Sequence, residues 1–158
     1  MVRVRSTWCT HLQAPAKAGG VVSTGHSDSE EIFRRRYDCA GSEVARRVER
    51  EALGHEAGVN GYTTLAQAER LAQCLALTPE SLLLDLGAGR GWPGTFLSAA
   101  SRCRVVLMDV PIQALLSARV YAEDRGVAAL TKAVCALGQA LPFRPESFDA
   151  VVHADVLC

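Results

Sequence analysis

The stretch Leu82–Ser98, LLLDLGAGRGWPGTFLS, constrains this chain more than any other. An apolar run ends in Asp85, and Gly87, Gly89 and Gly91 follow on alternate residues. Glycine takes positive φ at no steric cost and lets another group touch the backbone itself. Pro93 suits the first turn of a helix, where its missing N–H removes no bond. The stretch therefore predicts a strand over Ser81–Asp85, a tight loop, and a helix over Pro93–Ala100. A loop that ends at a helix N-terminus is a seat for a negatively charged group.

The same alternation continues downstream. The pattern predicts a strand over Arg104–Asp109, a helix over Ile112–Asp124, a weaker strand over Leu130–Cys135 and a strong one over Phe148–His153. Strands and helices alternating at this spacing imply an α/β fold, a Rossmann-like, doubly wound parallel sheet joined by right-handed crossovers. Upstream, Thr64 and Gln67 fit a capping box, and Leu65, Ala68, Leu71, Ala72 and Leu75 form one helical face that Thr78-Pro79 ends. Ile32, Phe33, Tyr37, Val44 and Val48 fall at loose helical spacing, with Gly41 splitting that stretch into two helices and Gly54 ending it. The arginines at 34–36, 46, 47 and 50 are interleaved with acids, which reads as a solvated helix face. Three segments follow: a disordered extension over 1–27, rich in Gly and Ser without period, an N-terminal helical segment over 28–79, and the α/β segment over 80–158.

Composition excludes some functions. The 158 residues suffice for one domain, and 17 basic residues balance 17 acidic ones. Neither half carries an electrostatic footprint, so no nucleic acid and no anionic membrane surface is expected as partner. The 6 cysteines form no C-x-x-C pair and follow no secretion signal, so they read as reduced thiols of a cytoplasmic protein. No apolar run approaches the ~20 residues of a membrane span. No metal cluster and no Ser/His/Asp array is visible.

Two ligands compete for the glycine loop. Gly89, Gly91 and Gly94 meet the dinucleotide spacing G-x-G-x-x-G, with Asp109 about 20 residues on. The register is poor, because the strand ends in an acid and the turn comes first at Gly87. A carboxylate there would face a pyrophosphate unfavourably and suits a ligand carrying an amino group.

Asp85-Leu-Gly87-Ala-Gly89-Arg-Gly91 resembles the first motif of class I methyltransferases that use S-adenosylmethionine. Asp109, ending VVLMD, is similar to the acid that binds the ribose hydroxyls in that family. ALPFRPESFDAVVHADVL resembles the segment leading into the fourth strand of the small-molecule methyltransferases of ubiquinone and menaquinone biosynthesis, and GVNGYTT resembles an entry segment folded over the cofactor. The resemblance implies S-adenosyl-L-methionine as cofactor and a small-molecule methyl acceptor. Methyl transfer would be a direct in-line displacement that the protein assists by positioning. It implies that Asp85 attracts the methionine ammonium, that Gly87, Ala88 and Gly89 approach the cofactor closely, that Asp109 holds the ribose diol, and that Val110 packs near the adenine. Leu137 stands where many relatives have an adenine-binding Asp, which leaves the Gly138 amide to meet the ring. Tyr62 would cover the cofactor. His153, at the end of the fourth strand, is the candidate general base or acceptor-positioning group.

The resemblance further implies a seven-stranded sheet in the order 3-2-1-4-5-7-6, of which these residues supply strands one to four, with N-terminal helices. The chain is therefore expected to be an incomplete methyltransferase domain. A second chain completing the sheet is the alternative expectation, and a remnant that binds cofactor or a partner without catalysis is another. From a different class, a nicotinamide-dependent oxidoreductase stays open on the Gly89-Gly91-Gly94 spacing.

Overall fold

The computed structural model describes residues 43–53 and 63–154. The expectations for the 1–27 extension, for the helix split at Gly41, for Gly54, and for Tyr62 lie outside the described residues.

Helix α1 spans Glu43–Leu53, with Glu43 in its first turn and Arg50 in its last, as the helix dipole favours. Arg46 and Arg50 reach Glu43 at 3.8 and 3.6 Å, and Arg47 reaches Glu51 at 3.9 Å, all on exposed side chains. Such pairs contribute little each, and they fit the solvated face expected at Arg46, Arg47 and Arg50, while the arginines at 34–36 lie outside the described residues. The helix turns Glu49 inward and leaves Val44 and Val48 exposed, so its apolar spacing does not mark its buried side.

Helix α2 spans Leu65–Leu75 and opens on the expected capping box. The Gln67 N–H donates to Thr64 Oγ1 (3.3 Å), and the Thr64 N–H donates to Gln67 Oε1 (2.8 Å). Two donors with no partner inside the helix are thus satisfied reciprocally. Thr64→Ala is expected to lower stability by about 1 kcal/mol, read as a shifted urea midpoint at unchanged slope. Ala68 meets Trp92 in a small cluster with Leu65 and Phe96. The Trp92 indole also donates to the Thr63 carbonyl at 2.9 Å, which ties α2 to the loop after the first strand.

The sheet has four parallel strands in the order β3-β2-β1-β4: β1 is Leu82–Leu86, β2 Arg104–Asp109, β3 Thr131–Cys135 and β4 Ala150–Val152. Helices α3 (Gly94–Ser101) and α4 (Ile112–Asp124) connect β1 to β2 and β2 to β3. β2 and α4 match their expected bounds. β1 runs one residue past Asp85, which places that acid inside the sheet opposite Leu107 and Val152. Leu130 belongs to a 3₁₀ turn, Ala128–Leu130, and not to β3.

β4 is shorter than Phe148–His153 for a visible reason. Phe148 packs beneath the sheet, and Asp149 pairs with Leu82 through its own N–H (2.9 Å) and through its carboxylate, which accepts the Leu82 N–H (2.8 Å). Strand side chains alternate between faces. Leu83, Val105, Leu107 and Val152 form the helix-side core with Leu97, Leu115 and Ala118. Leu84, Val106 and Met108 point the other way, where Phe143 and Phe148, edge to face at 4.9 Å, cover them. The LPF…SF run is therefore the roof of the second face.

Candidate functional site

The glycine loop folds back over the carboxyl end of β2. Gly87, Gly89 and Gly91 have φ of 72°, 53° and 93°, a region that costs side-chain-bearing residues strain. The Gly87 and Ala88 amides both donate to the Met108 carbonyl (2.8 and 3.0 Å). The Gly89 amide donates to Asp109 Oδ2 at 2.7 Å, and the Val110 amide donates to Asp109 Oδ1 at 2.7 Å. The Gly87, Ala88 and Gly89 amides, expected to approach a ligand, are thus hydrogen-bonded to the end of β2. The part-buried Asp109 carboxylate keeps accepting capacity, since each ionised oxygen takes two hydrogen bonds. Two amides hold it in one orientation at the strand end.

Asp85 is wholly buried. Its Oδ2 accepts the Gly94 N–H at 2.9 Å, and its Oδ1 has no partner. Burial pushes its pKa up from 3.8 to about 8, the Gly94 hydrogen bond opposes that shift, and the Asp109 charge adds to it. With no exposed carboxylate surface, Asp85 is left the water-mediated form of the expected attraction for a ligand ammonium. Burial follows from β1 running on to Leu86, which draws Asp85 under the start of α3.

Gly94 is the residue that permits this closure. A Cβ there would meet Asp85 Oδ2 at 2.5 Å and Leu107 Cδ2 at 2.8 Å. Close helix–strand packing is the role that the dinucleotide spacing gives its third glycine, so that role does not discriminate between the two ligands. A Cβ on Gly91 would crowd Thr95 and Ala118, so Gly91 also serves the packing of α3 against α4.

The remaining predicted residues divide. The Ala136 N–H donates to the Asp109 carbonyl (3.0 Å), and the Cys135 thiol donates to the Val110 carbonyl (3.1 Å). These bonds bring the loop after β3 beside Asp109 and Val110. Leu137 and Gly138 follow on that loop, exposed, as is Val110. The Ala88 side chain lies in the helix-side core. His153 is exposed just past β4. Arg90 was missed: its guanidinium lies 5.5 Å from the centre of the Tyr121 ring, with Nε and Nη1 buried and without hydrogen-bond partners. Nothing in the glycine spacing signals that contact, because Tyr121 comes from α4.

Asp109, Val110, the glycine loop and the loop after β3 thus form one cleft beyond the carboxyl ends of β1 and β2, where open α/β sheets bind ligands. Residues 84–158 match the family model described as Methyltransferase domain. This part of the chain is similar to the methyltransferase family. The chain is 31% identical over 94 residues to botryococcene C-methyltransferase of Botryococcus braunii, a stretch covering 60% of this chain and 25% of that protein. The chain thus spans about a quarter of the length of the curated relatives it matches. Geranyl diphosphate methyltransferase, solved in complex with GPP and sinefungin, superimposes with a TM-score of 0.63 at 15% identity over 80% of this chain and 56% of that one. A methyltransferase of Thiobacillus denitrificans, solved with S-adenosyl-L-homocysteine, gives 0.55 at 20% identity over 68% of this chain and 42% of that one. At these identities the two structures attest the methyltransferase fold. No helix among the described residues is long and apolar enough to cross a membrane, and the described residues hold no cluster of metal-ligating side chains.

Proposed function

We propose that this chain carries the S-adenosylmethionine-binding half of a methyltransferase for a small-molecule acceptor. The observation that supports this best is Asp109, clamped by the Gly89 and Val110 amides at the mouth of the cleft. A fixed carboxylate with free lone pairs fits a vicinal diol, and Val110 and Leu137 offer the ring beyond it an apolar surface. The unpartnered Oδ1 of Asp85 fits an ammonium-bearing ligand at the other end of the loop, through water or after a small opening at Gly94. The botryococcene C-methyltransferase relative supports an acceptor of small-molecule type. The free thiols of Cys74, Cys103 and Cys135 fit a reducing, cytoplasmic setting.

The bound cofactor supplies an electrophilic methyl group on a sulfonium. The residues of this chain orient it: Asp109 fixes the diol, the glycine loop limits the approach to backbone, and the buried Asp85 supplies negative charge when ionised. His153, exposed at the end of β4, is proposed to orient the acceptor. Positioning of this kind lowers the barrier without a covalent residue.

Asp109→Ala is expected to weaken S-adenosylhomocysteine binding roughly tenfold or more, the scale of losing charge-assisted hydrogen bonds. Titration calorimetry on the parent and variant chains checks it. Equal affinities would refute the diol assignment.

A further inference from the structure

Arg90 stands between two glycines that serve different ends. On one side, the Gly89 amide clamps Asp109 at 2.7 Å. On the other, Gly91 seats the chain so closely on α4 that a Cβ there would meet the Ala118 side chain at 3.1 Å. Ala118 and Tyr121 share a face of α4, since residues at this spacing are neighbours on a helix surface. The Arg90 guanidinium lies over the Tyr121 ring, 5.5 Å from its centre. A cation within about 6 Å of an aromatic face is attracted by the ring quadrupole.

The contact is desolvated. Nε and Nη1 of Arg90 are buried and have no hydrogen-bond partner, so the ring face has to offset the water that the guanidinium has lost. Such attraction strengthens when water is excluded. A second guanidinium, that of Arg125 just past α4, lies 5.6 Å from the same ring centre. Burial lowers the Arg125 pKa, and Tyr121, Asp124 and Glu49 oppose that shift. Glu49 is the buried acid of α1, so α1 lies against this same corner.

Arg90 is also the one long side chain of the Gly87–Gly91 loop, whose other members are three glycines and Ala88. Glycine loses more freedom on ordering than any other residue, so a loop built this way gains from a tether outside itself. Tyr121, on a packed helix, is that tether.

We propose that Arg90 is a positioning residue for the cofactor site: its seat on Tyr121 holds the Gly87–Gly91 loop in the shape in which Gly89 clamps Asp109. It acts through Gly89 and touches no ligand. Its effect on affinity rests on the cofactor reading above, whereas its effect on the loop does not.

The test uses the full 158-residue chain and two probes, S-adenosylhomocysteine and adenosine, titrated by calorimetry. Arg90→Gln keeps the length and removes the charge; Tyr121→Leu removes the ring. Each is expected to weaken both probes by the same factor, roughly five- to tenfold, the scale of a desolvated cation–π contact. The double variant should bind no worse than either single one, because both break one contact. Tyr121→Phe keeps the ring and should keep the parent affinity. In the ligand-free chain, amide exchange followed by NMR should quicken at Gly89 in Arg90→Gln and in Tyr121→Leu, with the Leu84 amide in the β1 ladder unchanged. A general loss of stability would quicken both amides and would overturn the proposal. So would additive losses in the double variant, or unchanged affinity in Tyr121→Leu. A loss confined to S-adenosylhomocysteine would also overturn it, since Arg90 would then touch the amino-acid end of the ligand itself. A parent chain that binds neither probe would refute the cofactor reading, and exchange at Gly89 would still decide whether Arg90 holds the loop.

Discussion

Gly94→Val is expected to destabilise the chain severely, and even Gly94→Ala by about 2 to 4 kcal/mol, the sum of overpacking and a lost buried hydrogen bond. The first added carbon would meet the Asp85 carboxylate at 2.5 Å and Leu107 at 2.8 Å. Neither neighbour can yield: Asp85 is held in the β1 ladder, and Leu107 is fully buried in the core. The helix start would have to lift, which breaks the 2.9 Å bond from Gly94 to Asp85. On propensity alone, alanine in a helix gains up to ~1 kcal/mol over glycine. The sign of the change in the urea midpoint therefore decides between packing and propensity, and a stabilised Gly94→Ala would refute the close approach.

Asp85→Asn is expected to remove a large pH dependence of stability. The buried carboxyl has its pKa raised to about 8, whereas in the unfolded chain it titrates near 3.9. Between those values the folded chain holds one more proton than the unfolded one. Stability from this group is thus fully present below about pH 4 and falls by about 1.4 kcal/mol per pH unit until about pH 8. Asparagine keeps an acceptor for the Gly94 N–H and cannot ionise. It places two amide donors where Oδ1 had no partner, so the variant starts somewhat weaker in acid. The two stability curves should then cross, with the variant the more stable at pH 8. Urea titrations at pH 4.5, 6 and 8 read the difference directly, since the other titrating groups are common to both chains. Parallel curves would mean that Asp85 ionises normally inside the fold.

Much of this is legible in the amino-acid sequence. The capping box at Thr64 and Gln67 was readable because both partners lie within one turn. β2 and α4 kept their expected bounds because an apolar run and a helical period mark them without competition. The order β3-β2-β1-β4 is the one that the family resemblance implies for strands one to four. Asp109 was marked as a site residue by its place at a strand end after a glycine loop.

Other features needed distant partners. The sequence reading set Asp85 at the strand end facing a ligand, yet Leu86 continues the ladder opposite Met108 and Gly94 closes over the carboxyl. The strand expected over Phe148–His153 is cut short because Asp149 bonds Leu82, 67 residues away. Arg90 finds Tyr121 on α4, and Val44 and Val48 stay in solvent while Glu49 turns inward. The sequence alone determined the α/β layering, the glycine turn and the acid beyond it, because hydrophobic period and backbone freedom are local properties. Only the tertiary structure decided which carboxylate is buried and which amides are spent on the end of β2. Those outcomes depend on desolvation and close packing between segments far apart in the chain.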